Sequence, residues 1–229
     1  MQAYIAEFTG NTVYFSGCDF NCGFCNTPEM LSFKEDFLID IREVKQEIKN
    51  NSFKEILFTG GEPCLQRPAL VELAKYSKKL GKKVFLHTNG SKPNALQSVF
   101  NLNLIDKIIF DIKAPFNENF DKVTKSQTFF KPSQDIMNDI RTSLDLLKQF
   151  DTEIEFRTLI VPSLMYRKED LLQIAEIIKE YDCTWKLSKF NNNVNLEKKY
   201  NALNPPTDIF MESIKEMLLT HYPKLRIEV

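Results

Sequence analysis

Three of the five cysteines in this 229-residue chain, Cys18, Cys22 and Cys25, fall within eight positions, in the stretch GCDFNCGFCN. The spacing C-x3-C-x2-C places three thiolate donors on one short loop directly after a β-rich run. A structural zinc site is closed by four ligands, usually two C-x2-C pairs or a mixture of Cys and His. The other two cysteines, Cys64 and Cys183, are separated from the loop by long stretches. A [4Fe–4S] cluster normally takes four cysteines, so three on one loop would leave one iron open to an exogenous molecule. With only His87 and His221 in the chain, a site built mainly from imidazole is excluded.

Composition narrows the setting. Hydrophobic residues make up 43% and the formal net charge is −1. Such a near-neutral chain lacks the electrostatic footprint for wrapping nucleic acid or an anionic membrane, and neither is expected as a partner. The first residues, MQAYIAEFTGN, contain no basic leader and no long apolar run, and no stretch approaches the roughly 18 apolar residues of a membrane span. The expected location is cytoplasmic. There thiols stay reduced, and clustered cysteines serve metal or redox chemistry rather than disulfides.

The elements that must position the loop follow from hydrophobic spacing. Candidate strands are TVYFS (12–16), EILFT (55–59), KVFLHT (83–88), KIIFDIK (107–113), EIEFRTLI (153–160) and WKLSKF (185–190), with LRIEV (225–229) as a last one. Between them run amphipathic helical stripes. One opens at Pro68 with Leu70, Leu73, Ala74 and Ser77 on its face, and another carries Ile136, Ile140, Leu144 and Leu147. A third has Leu171, Ile174, Ala175 and Ile178. A fourth begins after Pro205-Pro206, with Thr207 as cap and Ile209, Ile214, Met217 and Leu218 inward. Strands alternating with helices of this length imply βαβ units and a parallel sheet, in one domain over residues 1–229. Alternation along the strands puts Asp111 with Lys113, Glu153 and Glu155 with Arg157, and Lys186 with Ser188 on shared faces. A closed eight-stranded barrel fills its interior with apolar layers. Six or seven strands forming a partial barrel with an open polar lumen fit this pattern better.

The cysteine loop, with Phe24 before its last cysteine, resembles the signature of the radical S-adenosylmethionine (SAM) superfamily. Three further stretches at successive strand ends strengthen the resemblance: FTGGEP (58–63), HTNGS (87–91) and FDIKAP (110–115). The fold it implies is a partial (β/α)6 TIM-like barrel of α/β class. The implied cofactors are a [4Fe–4S] cluster held by Cys18, Cys22 and Cys25, and SAM. Gly60 and Gly61 let the backbone approach a ligand closely, and by resemblance this segment, with Glu62, meets the amino group of SAM. Thr88 and Asn89 correspond to further contacts, and so do Asp111 and Lys113, the lysine reaching the SAM carboxylate. Phe24 is placed against the adenine. Arg157 is read equally as a partner of the SAM carboxylate or of Glu155. His87 is read as a satisfied polar contact, and Cys64 and Cys183 as structural.

The implied chemistry is reductive cleavage of SAM to methionine and a 5′-deoxyadenosyl radical, which abstracts hydrogen from a substrate. No catalytic residue beyond the cluster and SAM is required. TNGSKP (88–93), FDIKAPF (110–116) and EFRTLIVP (155–162) look closest to activating proteins of glycyl radical enzymes, such as that of anaerobic ribonucleotide reductase. The partner would then be a glycyl radical enzyme, with a low-potential electron donor such as flavodoxin or ferredoxin. The polar connections 116–132 and 190–206 are candidates for a docking rim. Related activators often carry glutamines and a basic residue in the last strand region, where this chain has Ser188 and Lys189. The alternative within the superfamily resembles 7-carboxy-7-deazaguanine synthase, which shares TGGEPxLQ (59–66) and a threonine like Thr27 that helps hold magnesium. Outside enzymes, the alternatives are an iron–sulfur electron carrier and a zinc-stabilised interaction module.

Overall fold

The computed structural model describes residues 1–229. All seven strands expected from the sequence form, and a further strand precedes them and makes a hairpin with the first. Strand β1 (Gln2–Thr9) runs antiparallel to β2 (Thr12–Phe15), and β3 (Leu38–Asp40) runs antiparallel to β1 on its other side. The Gly10-Asn11 turn closes the hairpin, with Thr9 opposite Thr12 and Gly10 at φ +61. A two-residue hairpin loop needs this left-handed conformation, which glycine adopts at little cost.

From β3 onward helix and strand alternate. Helix α1 (Ile41–Asn50) leads to β4 (Glu55–Gly60), α2 (Arg67–Lys79) to β5 (Lys83–Thr88), and α3 (Pro93–Phe100) to β6 (Lys107–Asp111). A short α4 (Phe120–Thr124) and α5 (Ser133–Leu147) precede β7 (Glu153–Ile160). Then come α6 (Lys168–Ile178), β8 (Cys183–Lys189), the short α7 (Lys198–Asn201), α8 (Asp208–His221) and β9 (Arg226–Glu228).

Two compact units are distinguished by their internal contacts. The first comprises Met1–Asp19, Glu29–Ile109 and Asn138–Glu153; the second comprises Phe20–Pro28, Phe110–Met137 and Ile154–Val229. In the first unit β2, β4 and β5 pair in parallel, with Phe15 beside Gly60 and Leu57 beside Phe85. In the second, β7, β8 and β9 pair in parallel, with Arg157 beside Lys186 and Trp185 beside Ile227. The class is α/β with parallel strands. Antiparallel β1 and β3 add to what the sequence pattern suggested.

Helix faces follow the apolar spacing with one correction. Pro68 sits in the first turn of α2, and Leu70, Leu73, Ala74 and Ser77 are fully buried. The stripes of α5 and α6 are buried in the same way. Thr207 caps α8, its hydroxyl accepting from the Phe210 N–H at 3.2 Å. Ile209, expected to face inward, is 84% exposed, because the buried stripe of α8 is Met211, Ile214 and Leu218. That stripe keeps the i, i+3, i+7 spacing of a helix face, which Ile209 breaks.

In the core of the first unit Phe15 and Phe58 are fully buried and meet edge to face at 5.9 Å. Phe58→Ala is expected to lose about 3–5 kcal/mol of stability through the cavity it leaves. Ile209→Ala should stay within about 0.5 kcal/mol of the parent. Urea unfolding measures both, and equal losses would contradict this division of core and surface.

Candidate functional site

The first unit supplies the double-glycine segment. Strand β4 ends at Gly60, whose φ of +118 is a region closed to side-chain-bearing residues. The Gly61 N–H donates to Phe15 O at 2.8 Å, and the Glu62 N–H to Gly17 O at 2.7 Å. A Cβ on Gly61 would lie 2.2 Å from Gly17 O and 3.0 Å from Met30 O. The segment is therefore pressed against the residues that lead into the cysteine loop, and both glycines are required by close backbone approach.

Glu62 is fully buried. Its Oε1 accepts from the Cys64 N–H at 3.0 Å and the Thr88 hydroxyl at 2.8 Å, and its Oε2 accepts from the Asn89 N–H at 2.7 Å. Burial raises its pKa, the nearby Asp19 raises it further, and the three donors pull it back. Thr88 and Asn89 are buried too. The Thr88 hydroxyl also accepts from the Gly90 N–H at 3.1 Å, and Asn89 Oδ1 from the Ser91 N–H at 2.9 Å. The Glu62 carboxylate thus binds the other two candidate contacts, Thr88 by its hydroxyl and Asn89 by its backbone N–H. His87 Nδ1 lies 3.0 Å from the Thr59 hydroxyl, a satisfied polar contact as the sequence suggested.

Gln66, which sequence reasoning treated only as part of a motif, has a structural task. Its amide accepts from the Tyr4 N–H and donates to Tyr4 O, both at 2.8 Å, and donates to Ser16 O at 2.9 Å. It pins β1 beside the residue two before Cys18. No local sequence signal would have found this pairing, because its partner is a β1 backbone amide 62 positions away.

The second unit holds the rest of the cysteine loop. Cys22 is buried and Cys25 is half-buried; none of the five cysteines is in a disulfide. Burial pushes the Cys22 thiol up to about 11; Lys113 lowers it, while Cys25 and Asp111 raise it. Lys113 Nζ pairs with Asp111 Oδ2 at 2.7 Å. Between them Ile112 is fixed to β7, its N–H donating to Arg157 O at 2.9 Å and its carbonyl accepting from the Thr158 hydroxyl at 2.9 Å. The pairing of Asp111 with Lys113 is what strand alternation demands on either side of Ile112. Arg157 pairs with Glu155 through Nε, one of the two partners left open by the sequence.

The Asn-rich stretch after β8 is strapped to the cysteine loop. The Leu196 N–H donates to Cys25 O at 3.0 Å and the Glu197 N–H to Gly23 O at 2.8 Å. Glu197 in turn pairs with Lys125 and Lys199. Phe24, buried, meets Tyr200 edge to face at 6.2 Å. A Cβ on Gly23 would collide with the Glu197 and Tyr200 side chains. Part of the segment expected to form a docking rim is thus committed to holding the loop. Lys189 is paired with Asp208. Thr27 Oγ1 is 3.8 Å from Cys25 Sγ.

The sequence pattern of the Radical SAM superfamily matches residues 12–184. The chain belongs to the Radical SAM superfamily. A Methanocaldococcus jannaschii protein named "Putative glycyl-radical enzyme activating enzyme" is 29% identical over 197 residues, 86% of this chain and 79% of the relative. A 7-carboxy-7-deazaguanine synthase of Clostridium acetobutylicum is 30% identical over 148 residues, 63% of this chain and 65% of that protein. Among solved structures, a radical SAM methyltransferase from Sphaerobacter thermophilus superposes with a TM-score of 0.69 at 13% identity, covering 98% of this chain and 67% of that one. The fold is that of radical SAM enzymes, as the partial TIM-like barrel class requires.

The donor chemistry fits the cluster this superfamily implies: three cysteines outside any disulfide, on a loop whose backbone is tied down at both ends, with Lys113 near Cys22. No three His, Cys, Asp or Glu side chains are already gathered around one point. Cys18, Cys22 and Cys25 would ligate iron as thiolates, so the buried Cys22 thiol would have to give up its proton.

Two outcomes are expected. In the iron-free protein at pH 8, Cys22, Cys64 and Cys183 should resist alkylation, since burial raises all three thiols and leaves Cys22 roughly a thousandth ionised. Mass spectrometry should show Cys18 and Cys25 labelled first; rapid labelling of Cys64 would contradict its burial. Gly61→Ala should cost about 2 kcal/mol or more. Gly81→Ala, where a Cβ meets nothing within 4 Å, should cost about 1 kcal/mol from its φ of +72 alone. Equal costs in urea unfolding would contradict the close approach at Gly61.

Proposed function

We propose that residues 1–229 act as one radical SAM core that activates a glycyl radical enzyme. The observation behind the cofactor reading is the loop of three cysteines outside any disulfide, held by Cys18 N–H and Asp19 contacts at its start and by Leu196 and Glu197 at its end. When bound, the cluster and SAM would supply hydrogen-abstracting chemistry, with an electron from a low-potential donor such as flavodoxin or ferredoxin. This chain's residues bind, orient and exclude water. Cys18, Cys22 and Cys25 would ligate iron. Gly60 and Gly61 would offer backbone groups to the amino end of SAM, braced by Glu62, Thr88 and Asn89. Asp111 and Lys113 would contact SAM, the lysine reaching its carboxylate, and Arg157 would meet the same carboxylate or keep its pair with Glu155. Phe24, packed on Tyr200, would lie against the adenine.

A polypeptide substrate is supported by the Methanocaldococcus relative and by a surface feature. Phe129 and Phe130 are 95% and 91% exposed at a tight turn in which Thr128 and Lys131 exchange backbone hydrogen bonds. They touch each other edge to face at 5.2 Å. Two adjacent aromatic side chains held in water are an apolar anchor suited to a macromolecular partner. The small-molecule reading, on the lines of 7-carboxy-7-deazaguanine synthase, is supported by Thr27 beside Cys25. The shared Gln66 does not favour it, since that side chain is spent on β1.

The test is anaerobic incubation of the iron-loaded protein with SAM, a reductant and a glycyl radical enzyme. A glycyl radical signal with matching 5′-deoxyadenosine is expected. The double variant Phe129→Ser/Phe130→Ser should lower the radical yield at least tenfold while leaving partner-free SAM cleavage unchanged. Turnover of a purine-like small molecule without any glycyl radical would overturn the activating reading.

A further inference from the structure

Asp19, the residue after the first loop cysteine, is bound from one side by the whole turn that follows β5. Its Oδ1 accepts from Asn89 Nδ2 at 3.0 Å. Its Oδ2 accepts from the Ser91 hydroxyl at 2.6 Å and pairs with Lys92 Nζ at 2.8 Å. These donors come from a turn that is itself fixed. The Ser143 hydroxyl donates to Gly90 O at 2.6 Å, and Asn89 is gripped from the other side by Glu62 through its backbone N–H. Two carboxylates therefore bracket Asn89, one on its side-chain amide and one on its main chain.

The residues just before Asp19 are fixed as well. The Gly17 N–H donates to Met30 O at 2.7 Å and the Cys18 N–H to Leu31 O at 3.0 Å. A Cβ on Gly17, whose φ is +91, would strike the Phe33 ring. Consecutive Cα atoms are about 3.8 Å apart. Holding the Cys18 N–H on one side and the Asp19 carboxylate on the other leaves the dihedrals that aim the Cys18 thiol little freedom. The same turn binds Glu62, which immediately follows Gly60-Gly61, so Cys18 and the double glycine are referred to one fixed point.

We infer that Asp19 is a positioning residue for the first iron ligand: by grasping Asn89, Ser91 and Lys92 it sets Cys18 in register with the Gly60–Glu62 segment. The inference rests on the reading that Cys18, Cys22 and Cys25 hold a cluster. It assigns Asn89 a supporting task, since both polar ends of its side chain are engaged within the network.

The test compares wild type, Asp19→Ala and Asp19→Asn after anaerobic iron–sulfur reconstitution. Asparagine keeps an acceptor oxygen for the turn but loses the charge facing Lys92. Three quantities are read: the rate at which a chelator strips iron, the change that SAM causes in the electron paramagnetic resonance spectrum of the reduced cluster, and the melting midpoint of the iron-free protein. Asp19→Ala should lose iron at least tenfold faster and show a weakened or altered spectral response to SAM, with Asp19→Asn partly rescuing both. An Asp19→Ala protein that keeps iron and responds to SAM like wild type overturns the inference, whatever its melting midpoint. So does an Asp19→Asn protein that loses iron as fast as the alanine variant while melting like wild type. A wild-type protein that takes up no cluster contradicts the underlying reading instead, and shows this before any variant is compared.

Discussion

A carboxylate removed from water must have its oxygens hydrogen-bonded or else give up its charge. Glu62 meets that demand with three donors drawn from two separate strand ends: the Cys64 N–H just past β4, and the Thr88 hydroxyl and Asn89 N–H at the end of β5. Satisfying one buried group therefore fixes the two loops to each other. The double glycine inherits its place from this bond set, since Glu62 follows it directly. Asp19 adds the start of the cysteine loop to the same assembly through Asn89. Removing a donor here would leave a buried acceptor unpaired, at a cost of about 1–3 kcal/mol or more for a charged group.

The cysteine loop is short, and its glycines and polar residues would not hold a shape unaided. It is held at both ends by different means. At its start the ties are main-chain bonds from Gly17 and Cys18 together with the Asp19 carboxylate; at its end they are the bonds from Leu196 and Glu197 to the Cys25 and Gly23 carbonyls. Phe24 and Tyr200 close the second attachment with apolar surface. A loop so restrained reduces the ordering that metal binding would otherwise demand, because the backbone entropy is already lost on folding. Within the stretch NNNVNLEKKY, Leu196, Glu197 and Tyr200 make this attachment.

Much of this was legible in the sequence. Runs such as KVFLHT and EIEFRTLI form strands because β-branched and aromatic residues alternate over a whole strand length, and the helices of βαβ units announce themselves by i, i+3, i+4 spacing. Strand β1 was missed for a physical reason: only Ala3 and Ile5 of Gln2–Thr9 are buried, so the alternation is short and interrupted by Glu7. Its surviving signal is the Gly10-Asn11 turn. The placement of Ile209 failed because hydrophobic type alone does not choose between neighbouring turns of a helix. In the site, the motifs located the residues but not their partners. Whether Arg157 binds Glu155, or Asn89 binds Asp19, is decided by contacts between residues far apart in sequence or by one of several equal local choices. The bracketing of Asn89 by two carboxylates belongs to that class.

The central claim is that three cysteines hold a four-iron cluster with one iron left for SAM. Mössbauer spectroscopy of the protein reconstituted with 57Fe, recorded with and without SAM, addresses it most directly. The account predicts a [4Fe–4S] spectrum in which one of the four iron sites changes when SAM is added while the other three stay as they were. Four irons indifferent to SAM, or a protein that takes zinc and no iron, would contradict it.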